Sequence, residues 1–123
     1  MGHSVGFLKL VEQARIGVRE IPLAEVRERL KAGGELLLID VREDHEWAKG
    51  RLPGARHLGR GILERDVEVL VPEKGREIIL YCGGGFRSAL AAESLQKMGY
   101  TRVLSKAGGF RGWVESGGPL AGA

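Results

Sequence analysis

The chain has a single cysteine, Cys82, and its neighbours are of the kinds that make a thiol reactive. It follows the apolar run Ile78-Ile79-Leu80-Tyr81 and opens the stretch Gly83-Gly84-Gly85-Phe86-Arg87-Ser88, after which Ala89 to Gly99 has helical character. This order predicts a strand, a tight loop and a helix, with the sulfur just past the carboxyl end of the strand, where open α/β sheets hold their ligands. Three consecutive glycines let the loop curl until its amide N–H groups converge on one point. The helix directs its positive N-terminal end to the same place. Such a setting favours thiolate over thiol. Ser88 can cap the helix or donate its hydroxyl to the sulfur, and Arg87 suits an oxyanion or a carboxylate that holds the loop in shape. A cysteine serving only as a small buried apolar residue would account for neither the glycines nor the arginine.

At these residues the chain resembles the rhodanese family, whose loop reads Cys-x-x-Gly-x-Arg-Ser; Cys82, Gly85, Arg87 and Ser88 fill the fixed positions. Leu38 to Glu43, continuing through Glu46-Trp47 to Gly50-Arg51-Leu52-Pro53-Gly54-Ala55, is similar to the family's first signature. Gly108 to Trp113, ending with Gly118-Pro119-Leu120, is similar to its last. The likeness covers about residues 18 to 120. It departs at Arg51, where members commonly carry histidine, a position that bears on local packing and surface charge. The resemblance implies an α/β rhodanese-like fold, with a central, mainly parallel five-stranded sheet and helices on both faces. It also implies sulfur transfer: the Cys82 thiolate takes the sulfane sulfur of thiosulfate or another persulfide donor, and cyanide or a thiol then removes it. No metal or organic cofactor is implied. A persulfide carrier serving a sulfur-relay protein is the alternative. Cysteine phosphatases and arsenate reductases are a third class, but they place five residues between cysteine and arginine where this chain has four, and no second cysteine stands by to resolve an intermediate.

Further elements must position this loop. Leu36-Leu37-Leu38-Ile39 has no polar face and reads as a strand covered on both sides. It ends in Asp40-Val41-Arg42, which puts Asp40 and Arg42 on the same sheet edge as Cys82. Asp40 suits an acceptor for loop N–H groups or a partner for an arginine. Arg42 could pair with Glu46 or attract an anionic sulfur donor. Arg60, beyond the short strand Ala55 to Leu58, could hold the sulfonate end of a donor at the site mouth; a cysteine hydrolase would need a histidine base, for which His57 is the sole candidate, whereas a thiolate stabilised by the loop needs none. Proline at position 22 suits the first turn of a helix whose buried face is Val26 and Leu30 and which Gly33-Gly34 ends. Tyr100 to Leu104 reads as the last strand. Ala107-Gly108-Gly109 is expected to form a pocket wall, Phe110 and Trp113 to plug the core, and residues 117–123 to fray. Residues 1–17 read as an amphipathic helical extension with Phe7, Leu10, Val11 and Ala14 on its inner face, and residues 18–123 as the rhodanese-like domain.

The length, 123 residues, suits one domain able to bury a core without disulfides. A lone cysteine fits a reducing compartment, with cytoplasm the expectation. The net charge of +3 is spread among alternating basic and acidic residues, and aromatics are few. That pattern excludes a nucleic-acid-binding stripe, while Lys9 and Glu12 interrupt the one N-terminal apolar run that could have served a membrane.

Overall fold

The apolar runs without a polar face become the middle of a parallel sheet. A computed structural model describes residues 2–122. In chain order they form α1 (Val5–Gly17), β1 (Arg19–Ile21), α2 (Leu23–Ala32), β2 (Leu38–Asp40), α3 (Asp44–Ala48), β3 (Arg56–His57), a 3-10 turn (Arg60–Ile62), α4 (Leu63–Leu70), β4 (Ile78–Tyr81), α5 (Phe86–Lys97), β5 (Val103–Lys106) and α6 (Gly109–Glu115). The strands lie in the order β1-β5-β4-β2-β3, and each pairing is parallel. Because side chains alternate along a strand, Ile78, Leu80 and Cys82 face a layer built with Leu63 and Val67 of α4 and Leu95 of α5. Ile79 and Tyr81 face the opposite layer, built with Val26 of α2 and Trp113 of α6. The α/β sheet with helices on both faces is thus present.

Register brings the carboxyl ends of the strands level. Asp40 pairs with Tyr81, and Leu80 with Ser105. The loop after β4 therefore emerges beside Asp40-Val41-Arg42 on one side and Lys106-Ala107-Gly108 on the other.

Several boundaries differ from the sequence expectation. The last strand starts at Val103, not Tyr100; Tyr100 is buried beside it and donates its hydroxyl to the Val71 carbonyl at 2.6 Å. Pro22 caps α2 from outside its first turn, and Gly33 ends that helix in the left-handed region. Leu10 is 56% exposed, whereas Val11 and Ala14 are the buried residues of α1. Residues up to Ala121 are held rather than frayed. Arg51 and Ala121 exchange two backbone hydrogen bonds, and Trp113 Nε1 donates to the Pro119 carbonyl at 2.7 Å. Among the described residues no helix is long and apolar enough to cross a membrane.

Candidate active site

The loop after β4 curls because Gly85 takes φ +97°, a left-handed angle that a side chain would resist, immediately before α5 begins at Phe86. The helix thus starts earlier than Ala89, and Ser88 lies inside its first turn instead of capping it. This turn aims two amides at the sulfur: Gly85 N donates to Cys82 Sγ at 3.1 Å and Ser88 N at 3.3 Å. Ser88 Oγ lies 3.5 Å from Sγ and shares a 2.8 Å hydrogen bond with Ser105 Oγ. Cys82 has 0% accessible surface, yet it belongs to the wall of a cavity of about 340 Å³. An incoming atom must therefore shed its water to meet the sulfur. Gly83, Gly84, Phe86, Arg87, Glu46, His3, Phe7 and Arg111 complete the wall. A larger hollow against Arg27, Leu30 and Trp113 contains no cysteine.

The charged side chains around the loop pair in an order the sequence did not reveal. Arg87 forms two parallel bonds to Glu46, Nη1 to Oε1 at 2.8 Å and Nη2 to Oε2 at 3.0 Å. The guanidinium holds the Glu46 carboxyl well below the usual range, at about 2. Arg42 does not pair with Glu46. It is 3% exposed, grips Asp40 through its own N–H, Nε and Nη2 at 2.7–3.0 Å, and donates to the Gly50 carbonyl at 2.7 Å. Asp40 and Arg42 are thus a buried strut at the end of β2, not a cationic mouth. Arg60 lies outside the cavity, its Nη2 3.4 Å from Ser94 Oγ about two turns along α5. His57 also lies outside it: the ring stacks on Trp47, and Nε2 is 2.8 Å from the Arg42 carbonyl.

On the other flank the Gly108-Gly109 turn meets the loop backbone to backbone. Phe110 N donates to the Cys82 carbonyl at 2.7 Å and Arg111 N to the Gly83 carbonyl at 2.9 Å. Gly109 has φ +57°, and a Cβ there would stand 2.5 Å from the Cys82 oxygen and 2.7 Å from the Gly83 carbonyl carbon. Backbone cannot yield as a side-chain tip can. Gly109→Ala is therefore expected to cost about 3 kcal/mol, from left-handed strain plus overpacking, and to lower the melting temperature by roughly 10 °C. An unchanged thermal melt would disprove this account of the turn.

Beneath that turn lies Lys106, a residue that the sequence reading passed over. It has 0% accessible surface, donates to the carbonyls of Gly109 at 2.7 Å and Ala107 at 3.1 Å, and has no carboxylate partner among the described residues. Burial pushes its amine down to about 8, with the Cys82 charge opposing. The folded chain thus releases this proton more readily than the unfolded chain, whose lysine stays near 10.5. Folded-state stability should rise as the pH climbs from about 8 to 10.5, by on the order of 3 kcal/mol. Urea unfolding across that interval should show the rise in the wild type and its loss in Lys106→Met; equal slopes would refute it.

Other contributors lie far away in sequence. Arg15 of α1 reaches the Gly85 carbonyl at 3.3 Å and stands over the Phe86 ring at 5.0 Å. His3 and Phe7 line the cavity, as does Arg111 of α6. Of these, only Phe7 stood out in the sequence, as an apolar position on the first helix; nothing local announced its neighbour. Trp113 is fully buried as expected, and Phe110 packs against the same core layer beneath the Arg42 guanidinium at 4.1 Å.

Comparison with known proteins bears on this geometry. The rhodanese-like domain model matches residues 22–116. A sulfurtransferase of Allochromatium vinosum is 33% identical over 84% of this chain and 94% of its own. The thiosulfate:glutathione sulfurtransferase of Homo sapiens is 30% identical over 80% of this chain and 96% of its own. Among solved structures, a Rhodopseudomonas palustris protein of unknown function, described as a possible tyrosine phosphatase, is similar at a TM-score of 0.88 and 29% identity, covering 98% of this chain and 99% of that one.

Proposed function

This chain belongs to the rhodanese-like family, whose relatives here are named sulfurtransferases, and on that premise we propose that it transfers sulfane sulfur through a persulfide on Cys82. The observation that carries the reading is the pair of inward amides, Gly85 N and Ser88 N, 3.1 and 3.3 Å from Sγ. Main-chain dipoles placed where negative charge must sit stabilise that charge without having to reorient.

With thiosulfate as donor, the Cys82 thiolate attacks the outer sulfur. A sulfur–sulfur bond forms to Cys82, the bond to the sulfonate sulfur breaks, and sulfite leaves with the electron pair. Charge balances, with one anionic sulfur on Cys82 before and after. Ser88 can donate its hydroxyl to the anion because Ser105, 2.8 Å away, can donate to Ser88 in turn. Cyanide or a thiolate then takes the terminal sulfur and restores the Cys82 thiolate. No histidine base is called for, since no proton moves at the reacting atoms. The setting proposed for this chemistry is the cytoplasm, where a lone thiol stays reduced.

One observation favours the carrier alternative. Arg87, the loop's only cation, is already matched by Glu46, so the loop offers no spare charge to a thiosulfate dianion. A persulfide delivered by a protein or a small thiol has less charge to neutralise. The same Glu46 carboxylate argues against the phosphatase reading, because it lines the cavity where a phosphate would sit and occupies the arginine that would hold it. Intact-mass measurement after thiosulfate tests the proposal: a gain of one sulfur atom, reversed by cyanide, is expected, and no gain would refute thiosulfate as donor. Turnover with thiosulfate compared with a glutathione persulfide then separates enzyme from carrier.

A further inference from the structure

The family match begins at residue 22, yet the cavity over Cys82 is walled in part by residues that precede it. His3 and Phe7 face Phe86 of the reactive loop. The His3 and Phe86 rings meet edge to face at 4.6 Å, Phe7 and Phe86 at 6.1 Å, and His3 and Phe7 at 5.1 Å. This wall is held in place. Ser4 caps α1 by accepting from Phe7 N at 3.4 Å, Val11 and Ala14 are buried, and Arg15 ties the far end of the helix to the Gly85 carbonyl.

Two properties of the cavity follow. At about 30 Å³ per water-sized group, 340 Å³ accommodates roughly eleven such groups, more than twice the heavy atoms of thiosulfate. Its charge is also lopsided. Glu46 neutralises Arg87, which leaves Arg111 as the lining cation with no ion-pair partner among the described residues. One available positive charge beside three rings suits one negative charge on a carbon body. A compact inorganic dianion would gain nothing from the rings and would face the Glu46 carboxylate.

We infer that the N-terminal segment supplies one wall of the substrate site, with His3 and Phe7 receiving the carbon body of an organic sulfur donor and Arg111 its single anionic group. The inference rests on the sulfur-transfer reading for the donor's chemistry, and its test does not depend on turnover. Benzenesulfonate serves as the organic probe and sulfate as the inorganic one, each titrated into the full chain at fixed pH and followed by amide NMR shifts. Benzenesulfonate should move the amides of Gly83 to Phe86 and bind at least about tenfold more tightly than sulfate, since its ring buries apolar surface that sulfate lacks. His3→Ala and Phe7→Ala should each reduce that preference at least about threefold, while Arg111→Gln should weaken both probes alike. His3 is exposed, so its variant carries the test should Phe7→Ala loosen α1. Equal affinity for the two probes, binding by neither, or a preference unmoved in both variants would overturn the inference. Failure of the sulfur-transfer reading shows separately, as the absence of a one-sulfur mass gain on Cys82 with thiosulfate and with a glutathione persulfide alike.

Discussion

Cys82→Ser is expected to reduce sulfur transfer at least about 10³-fold and to eliminate the one-sulfur mass gain altogether. The reason is chemical, since the variant should remain folded. A serine oxygen can accept from the same Gly85 and Ser88 amides that hold Sγ at 3.1 and 3.3 Å, so the loop keeps its shape. The hydroxyl cannot serve as the soft nucleophile that a sulfane sulfur requires, and it stays protonated at neutral pH. Intact mass after thiosulfate and thiocyanate formation with cyanide are the two readouts, with a thermal melt to show that the fold survives. A mass gain persisting in the variant would place the sulfur on another residue.

Asp40→Ala should produce the largest loss of stability, about 3–5 kcal/mol. Asp40 is 0% exposed and accepts from three Arg42 donors, the main-chain N–H, Nε and Nη2, so its removal leaves a guanidinium buried at 3% exposure with only the Gly50 carbonyl. The strut also fixes the end of β2, where Val41 N donates to the Tyr81 carbonyl at 3.0 Å, one residue before Cys82. Replacing both partners by apolar residues, as in Asp40→Leu with Arg42→Met, should cost less than Asp40→Ala alone, because no unpaired charge remains. Urea unfolding of the three proteins measures the comparison. A loss below about 1 kcal/mol for the single variant would mean that water reaches the arginine.

The two arginines near the loop illustrate how far sequence reasoning could go. Arg42 and Glu46 stand four residues apart, a separation that invites a local pair, and Arg87 was expected to find either an oxyanion or a carboxylate. In the folded chain Arg42 turns back to Asp40, two residues away, and Glu46 goes to Arg87, forty-one residues away. Nothing in the local spacing distinguishes these outcomes, because the guanidinium that meets Glu46 arrives from a distant part of the chain. The mouth role considered for Arg60 lapsed for a similar reason: the 3-10 turn directs it to Ser94 on the outer run of α5. Arg111, within the glycine-rich segment Gly108 to Trp113, lines the cavity instead.

What the amino-acid order determined by itself was the alternation of strands and helices, the parallel sheet and the glycine turn that opens a helix at the cysteine. These follow from periodicity and from backbone angles set within a few residues. Tertiary structure alone decided which charges pair, that Lys106 is buried without a carboxylate partner among the described residues, and that the N-terminal segment lays His3 and Phe7 against the reactive loop. Those outcomes depend on desolvation and on neighbours brought from distant parts of the chain, and a side chain's type carries no record of either.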